Sequence, residues 1–146
     1  MVDTISSEER SRLMALVRHH GTGPELALRK ALWISGLRYR LKTKIRLPGS
    51  PDLVFPGAKV AVFVDGCFWH GCPLHGSIPK SHVEFWSSKI ARNKTRDIEV
   101  DAKLVLAGWL VIRLWEHQIR DSLTTCVDEV RAALASKRSE SLRLHR

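Results

Sequence analysis

The strand-like run Lys59–Val64 leads straight into Asp65-Gly66-Cys67-Phe68-Trp69-His70-Gly71-Cys72-Pro73-Leu74-His75, and this junction limits the fold more tightly than any other stretch. Val60 to Val64 are apolar without alternation, the pattern of a strand buried on both faces. The loop that follows holds two of the three cysteines. Cys67, Cys72 and His75 offer three soft ligands to one Zn²⁺, with a fourth to come from elsewhere. His70 lies between two of these ligands and is open to a different task. Phe68 and Trp69 sit in a tight loop with little room to bury both rings.

The rest of the chain arranges itself around this junction. Ser6-x-x-Glu9 reads as a capping box opening a helix over Ser7–His19, with Leu13, Leu16 and Val17 as its apolar stripe and Met14 to one side. Gly21-Thr22-Gly23 breaks the chain. Pro24 suits the first turn of a second helix, which buries Leu28, Ala31 and Leu32 and ends at Gly36. Glu25 falls in its first turn, where a carboxylate favours the helix dipole whether or not it has another role. Arg38–Leu41 has the makings of a short edge strand. Asp52–Phe55 and Lys59–Val64 form a hairpin through Pro56-Gly57. A charged helix follows from about Val83 to Ala107, then a strand at Trp109–Trp115 and a last helix over 121–136. The expected order is α-α-β-β-β-α-β-α: one α/β domain over 1–138, with a small central mixed sheet flanked by helices and a structural zinc site. Residues 139–146 read as a basic, disordered tail.

Charge narrows the partners. Lys and Arg outnumber Asp and Glu by 24 to 15, giving a net charge of +9 and a pI of about 10.0. Such a domain is suited to nucleic acid through phosphate neutralisation. An odd cysteine count offers no disulfide framework, and metal ligation in a reducing cytosol fits Cys67 and Cys72 better. No signal peptide and no membrane-spanning run is visible, so a cytoplasmic location is expected.

Asp52 begins one strand of the hairpin and Asp65 ends the next, so a tight turn can bring both to one end of the sheet. Carboxylates in a basic, DNA-handling protein point to Mg²⁺, which takes carboxylates, waters and phosphate oxygens together. Asp52 also fits as a simple cap of the turn after Pro51.

Pro51-Asp52 followed by Val62-Phe63-Val64-Asp65 resembles the hairpin of the PD-(D/E)xK, restriction-endonuclease-like superfamily, without its usual lysine. Gly66-Cys67-Phe68-Trp69-His70 then resembles the signature of the very-short-patch repair (Vsr) DNA mismatch endonucleases. Val83-Glu84-Phe85-Trp86-x-x-Lys89-Ile90, Asn93, Arg96-Asp97, Gly108-Trp109 and Trp115-Glu116 continue the match, as do Met14 and Glu25. The resemblance covers about residues 5–125. It implies that Asp52 binds catalytic Mg²⁺ with the backbone carbonyl of Val64, and that His70 replaces the missing lysine as general base. Glu25 would support the site, and Asp65 occupies a position where family members carry Asp or His. Zinc would be held by Cys67, Cys72, His75 and His117, the last standing where the best-studied relative has cysteine. Phe68, Trp69 and Trp86 would wedge into the DNA stack beside the mismatch, and Met14 would enter from the opposite groove. Lys89, Arg92, Asn93, Lys94 and Arg96 would meet the DNA, although surface charges of this kind are also commonly just solvated. Cys126, on the apolar side of the last helix, reads as core.

The resemblance thus implies a monomeric, Mg²⁺-dependent bacterial endonuclease, on the nucleoid when bound to DNA. It would nick duplex DNA 5′ of the T in a T·G mismatch and start repair of deaminated 5-methylcytosine beside a cytosine-5 DNA methyltransferase. A restriction-type or general nickase of the same fold is the alternative. A non-catalytic zinc module is a third reading, against which the retention of Asp52 and His70 speaks.

Overall fold

The computed structural model describes Ser6, Glu8 and residues 22–144, so the expected helix over 7–19, apart from Glu8, and its Met14 lie outside the described residues. The order is α1 (Gly23–Ile34), β1 (Leu53–Phe55), β2 (Val60–Asp65), α2 (Val83–Leu106), β3 (Leu110–Trp115), α3 (Glu116–Asp121) and α4 (Leu123–Leu144). The sheet order is β1-β2-β3, with β1 antiparallel and β3 parallel to β2. A parallel neighbour needs a long crossover, and α2 supplies it.

The unbroken apolar run of β2 is explained by what covers it. Val60 and Val62 join Leu53, Phe55, Ile112 and Leu114 on one face, beneath Leu28 and Leu32 of α1, Ile119 of α3, and Cys126, Val127 and Val130 of α4. Ala61 and Phe63 join Val54 on the other face, beneath Val100 and Leu104 of α2. The result is three layers, helix–sheet–helix. Side chains of successive β2 residues point to opposite faces, so Asp65 emerges at the strand's end still only 4 % exposed.

Three expectations change. Arg38–Leu41 forms only an isolated bridge, Arg40 to Val54, and the chain bends at Leu41, where the pairing ends. The last helix, expected over 121–136, runs as α4 from Leu123 to Leu144, and an unexpected short helix, α3, precedes it across Ser122. Residues 139–144 are not a disordered tail but the end of α4. There Lys137 donates to the Gly108 carbonyl at 2.9 Å and pairs with Glu140 at 3.5 Å, which anchors that helical end to the α2–β3 turn.

Candidate active site and metal centre

The loop after β2 folds back on itself through short-range hydrogen bonds. The Cys72 amide donates to the Cys67 carbonyl at 2.8 Å, and the Gly76 amide to the Cys72 carbonyl at 2.8 Å. Gly76 has to be glycine for this closure. A Cβ there would stand 2.7 Å from the Cys72 carbonyl oxygen and 2.9 Å from that of Cys67. The closed loop points both thiols at α3, which begins immediately after β3. His117 Nδ1 lies 3.3 Å from Cys67 Sγ and 3.6 Å from Cys72 Sγ. With His75 added, all four donor atoms fall within 4.8 Å of one another. A tetrahedral ion bound at about 2.1–2.3 Å needs neighbouring donors about 3.5–3.8 Å apart, so this set fits a thiolate–imidazole metal site. Burial raises the Cys67 thiol. At Cys72 burial is outweighed by hydrogen bonds from the backbone at His75, Leu74 and Gly76 and from Cys67, so its thiol is lowered. Glu116 ties the loop to α3 by accepting the Cys67 N–H at 3.2 Å.

Beside this centre a cavity of ≈ 380 Å³ opens at the end of β2. It is lined by Asp52, Val64, Asp65, Trp69, His70, Lys89, Asn93 and Arg96, among others. Asp52 is 7 % exposed and accepts the Val64 N–H at 2.6 Å, which holds its carboxylate against the backbone of the next strand. A carboxylate beside a peptide group gives hard oxygen donors, suited to a divalent ion such as Mg²⁺. His70 Nδ1 lies 2.6 Å from Asp97 Oδ2 and 3.7 Å from Asp65 Oδ1.

The donor atoms of Asp65, His70 and Asp97 lie within 4.8 Å of one another, but a cation is already among them. Arg113 Nη1 lies 3.0 Å from Asp65 and 3.6 Å from Asp97, while Arg113 also binds Asp101 and stacks 4.2 Å over the Phe63 ring. Burial raises the Asp65 carboxyl, opposed by His70 and Arg113. The guanidinium thus takes the place a metal would have between these carboxylates.

Phe68, Trp69 and Trp86 meet edge to face, with centroids 5.2–6.2 Å apart. Phe85 adds an exposed ring against Trp86, and the Lys89 ammonium lies 5.4 Å from the Trp69 centroid.

Sequence comparison shows the family. Residues 2–75 match the profile of the family described as DNA mismatch endonuclease Vsr. The chain belongs to the Vsr family of DNA endonucleases. It is 48 % identical over 124 residues to the type II nicking enzyme V.NaeI of Lentzea aerocolonigenes, covering 82 % of this chain and 75 % of that protein. It is 43 % identical over 142 residues to V.NmeDIP, a type II nicking enzyme of Neisseria meningitidis serogroup C, covering 96 % and 95 % of the two chains. The DNA mismatch endonuclease Vsr of Escherichia coli (strain K12) is 34 % identical over 122 residues, covering 82 % and 77 %.

Several residues expected to work together in a Vsr-family nuclease do converge here. Asp52, Val64, Asp65, His70, Trp69, Lys89, Asn93 and Arg96 share one cavity, and Cys67, Cys72, His75 and His117 share another centre. Others stand differently. Glu25 does not line the cavity; it is 1 % exposed on α1 and bonded to Arg29. Trp86 is 2 % exposed, so it is the buried base on which Phe68 and Trp69 rest, not an open wedge. Asn93 spends its amide on the Trp69 carbonyl at 2.9 Å, which fixes the loop. Arg92 and Lys94 are exposed on α2 and outside the cavity lining. Sequence reasoning gave no role to Asp97, Asp101, Arg113 or Glu116. Arg113 had one visible signal, a charge inside an otherwise apolar strand.

Among the described residues, no helix is long and apolar enough to cross a membrane.

Proposed function

We propose that this chain nicks duplex DNA on the 5′ side of the T in a T·G mismatch, on a restriction-endonuclease-like fold. The observation that carries the reading is the single cavity uniting Asp52 and His70 with Trp69 and the cations Lys89 and Arg96. Hydrolytic groups, phosphate anchors and a ring for stacking are what a strand-nicking enzyme needs together.

With Nδ1 facing the Asp97 carboxylate, the imidazole carries its proton there and leaves Nε2 to take one from the attacking water. Arg113 holds Asp97 and Asp65 and balances their charge. Lys89 and Arg96, both lining the cavity, would anchor phosphates of the strand it holds. Asp52 and the Val64 carbonyl would hold Mg²⁺, which would supply positive charge to the phosphate there. Zn²⁺ held by Cys67, Cys72, His75 and His117 would be structural, since four protein ligands leave no open position. Phe68 and Trp69 would stack into the helix at the lesion, where unstacking costs least. Glu25, Met14 and Arg92 remain assigned by family resemblance alone, Glu25 as support for the site and the other two as DNA contacts. In a cell with a cytosine-5 DNA methyltransferase, such nicking would start repair of deaminated 5-methylcytosine.

A second reading, a nickase without mismatch choice, is favoured by the names of V.NaeI and V.NmeDIP as type II nicking enzymes. Nicking of matched and T·G duplexes with varied flanks, in Mg²⁺ and in EDTA, separates the two. Mismatch-dependent nicking that EDTA abolishes is expected. Equal nicking of matched DNA would establish the second reading.

A further inference from the structure

Between Glu25 and Asp52 the chain has no carboxylate, yet it carries Arg29, Lys30, Arg38, Arg40, Lys42, Lys44 and Arg46. The last five alternate along Arg38–Arg46 and all are exposed. Arg40 exchanges two backbone hydrogen bonds of 2.8 Å with Val54. That bridge is antiparallel, so the chain beyond Arg40 runs along the outer side of β1 toward Asp52 and the cavity. Leu37 and Tyr39 pack into the core on one face of the sheet and Leu47 on the other, so the segment wraps the sheet edge with apolar anchors at both ends. Its cations are therefore carried by an ordered support.

Arg38 is engaged by Trp33, bonding its carbonyl at 2.6 Å and lying 4.1 Å over its ring. Among the described residues, no carboxylate pairs with Arg40, Lys42, Lys44 or Arg46. Like charges held together without acids repel one another, and a polyanion relieves that repulsion. An acidic protein segment would serve the same charge. Duplex DNA is favoured because the track is continuous with the cavity. Lys42, Lys44 and Arg46 border a depression that includes Ser50, and Ser50 also lines the catalytic cavity. At the far end Arg38, Arg40, Lys42 and Lys44 share a groove of ≈ 880 Å³ with Arg138 of α4.

We propose that residues 38–46, continued by Arg138, form a second phosphate track that holds the DNA backbone outside the catalytic cavity, an inference that rests on the reading of the chain as a DNA nickase. The test is the salt dependence of full-chain binding to a fully matched duplex of about three helical turns, between about 50 and 200 mM NaCl. Neutralising three contacts in the Arg40→Gln/Lys42→Gln/Lys44→Gln variant should flatten the slope of log K against log[NaCl] by about 2–3, at about 0.9 per phosphate. The charge-preserving Arg40→Lys/Lys42→Arg/Lys44→Arg variant should restore the wild-type slope. An unchanged slope in the neutral variant overturns the proposal, as does an equally flat slope in the charge-preserving one. Binding of poly-glutamate forms a second arm. Its loss in the neutral variant with the DNA slope intact would assign the track to an acidic protein and overturn the proposal. The mismatch reading fails on a different measurement, equal nicking of matched and T·G duplexes by the wild type, which leaves the slope test standing.

Discussion

Asp97 Oδ2 stands 2.6 Å from Nδ1 of His70, and this contact fixes which imidazole nitrogen is free. Replacing Asp97 by Asn keeps the shape but lets an amide N–H face Nδ1 and favour the opposite tautomer. Nicking by Asp97→Asn should fall by about 10²–10⁴, the usual weight of a general base, with mismatch binding retained. Single-turnover rates beside gel-shift affinities check this. Full activity would remove the orienting role.

The metal loop gives a stability prediction. Purified protein should hold one Zn²⁺, and Cys67→Ala or His117→Ala should lose folding before chemistry. His75→Ala should lower the Tm, whereas His70→Ala should leave it nearly unchanged while abolishing nicking. Metal analysis and thermal melts decide the assignment. A lower Tm for His70→Ala with none for His75→Ala would exchange their roles.

The aromatic cluster separates recognition from support. Trp69→Ala should fold, lose most nicking of T·G duplex and narrow the gap over matched DNA, since stacking is worth about 1–3 kcal/mol per ring. Trp86→Ala removes a buried ring and should cost about 3–5 kcal/mol of stability. Denaturant unfolding of both variants is the check, and a stable Trp86→Ala protein would contradict its place as the buried base.

Arg113 yields a prediction with a pH dependence. Burial already raises the Asp65 carboxyl, so Asp65 binds its proton more readily folded than unfolded, and its contribution to stability declines as pH rises above 3.8. Arg113 opposes that shift. In Arg113→Met the carboxyl should rise further and the decline extend to higher pH. The variant should therefore lose about 3–5 kcal/mol near neutrality and much less in acid, where Asp65 is protonated. Urea unfolding across pH reads this directly, and a loss independent of pH would show that Arg113 does not act through the charge of Asp65.

The amino-acid sequence by itself determined the hairpin, the ligand loop and the long crossover helix, because each is written in contiguous residues. An unbroken apolar run needs cover on both faces, and Cys67, Cys72 and His75 are close enough in chain to meet without the rest of the fold. Asp52 and Asp65 were legible for the same reason, since a two-strand turn brings its ends together. What only the tertiary structure decided depends on elements meeting across the sheet. The parallel pairing of β2 with β3 aligns Phe63 with Arg113 and Asp65 with Trp115, so that Arg113 reaches Asp65. The packing of α2 over that face then brings Asp97 and Asp101 to the same guanidinium. Burial of Trp86 and Glu25, and the run of α4 to Leu144, likewise follow from packing partners remote in sequence. Local spacing fixes what a loop can ligate; the end of a shared sheet decides which charges surround it.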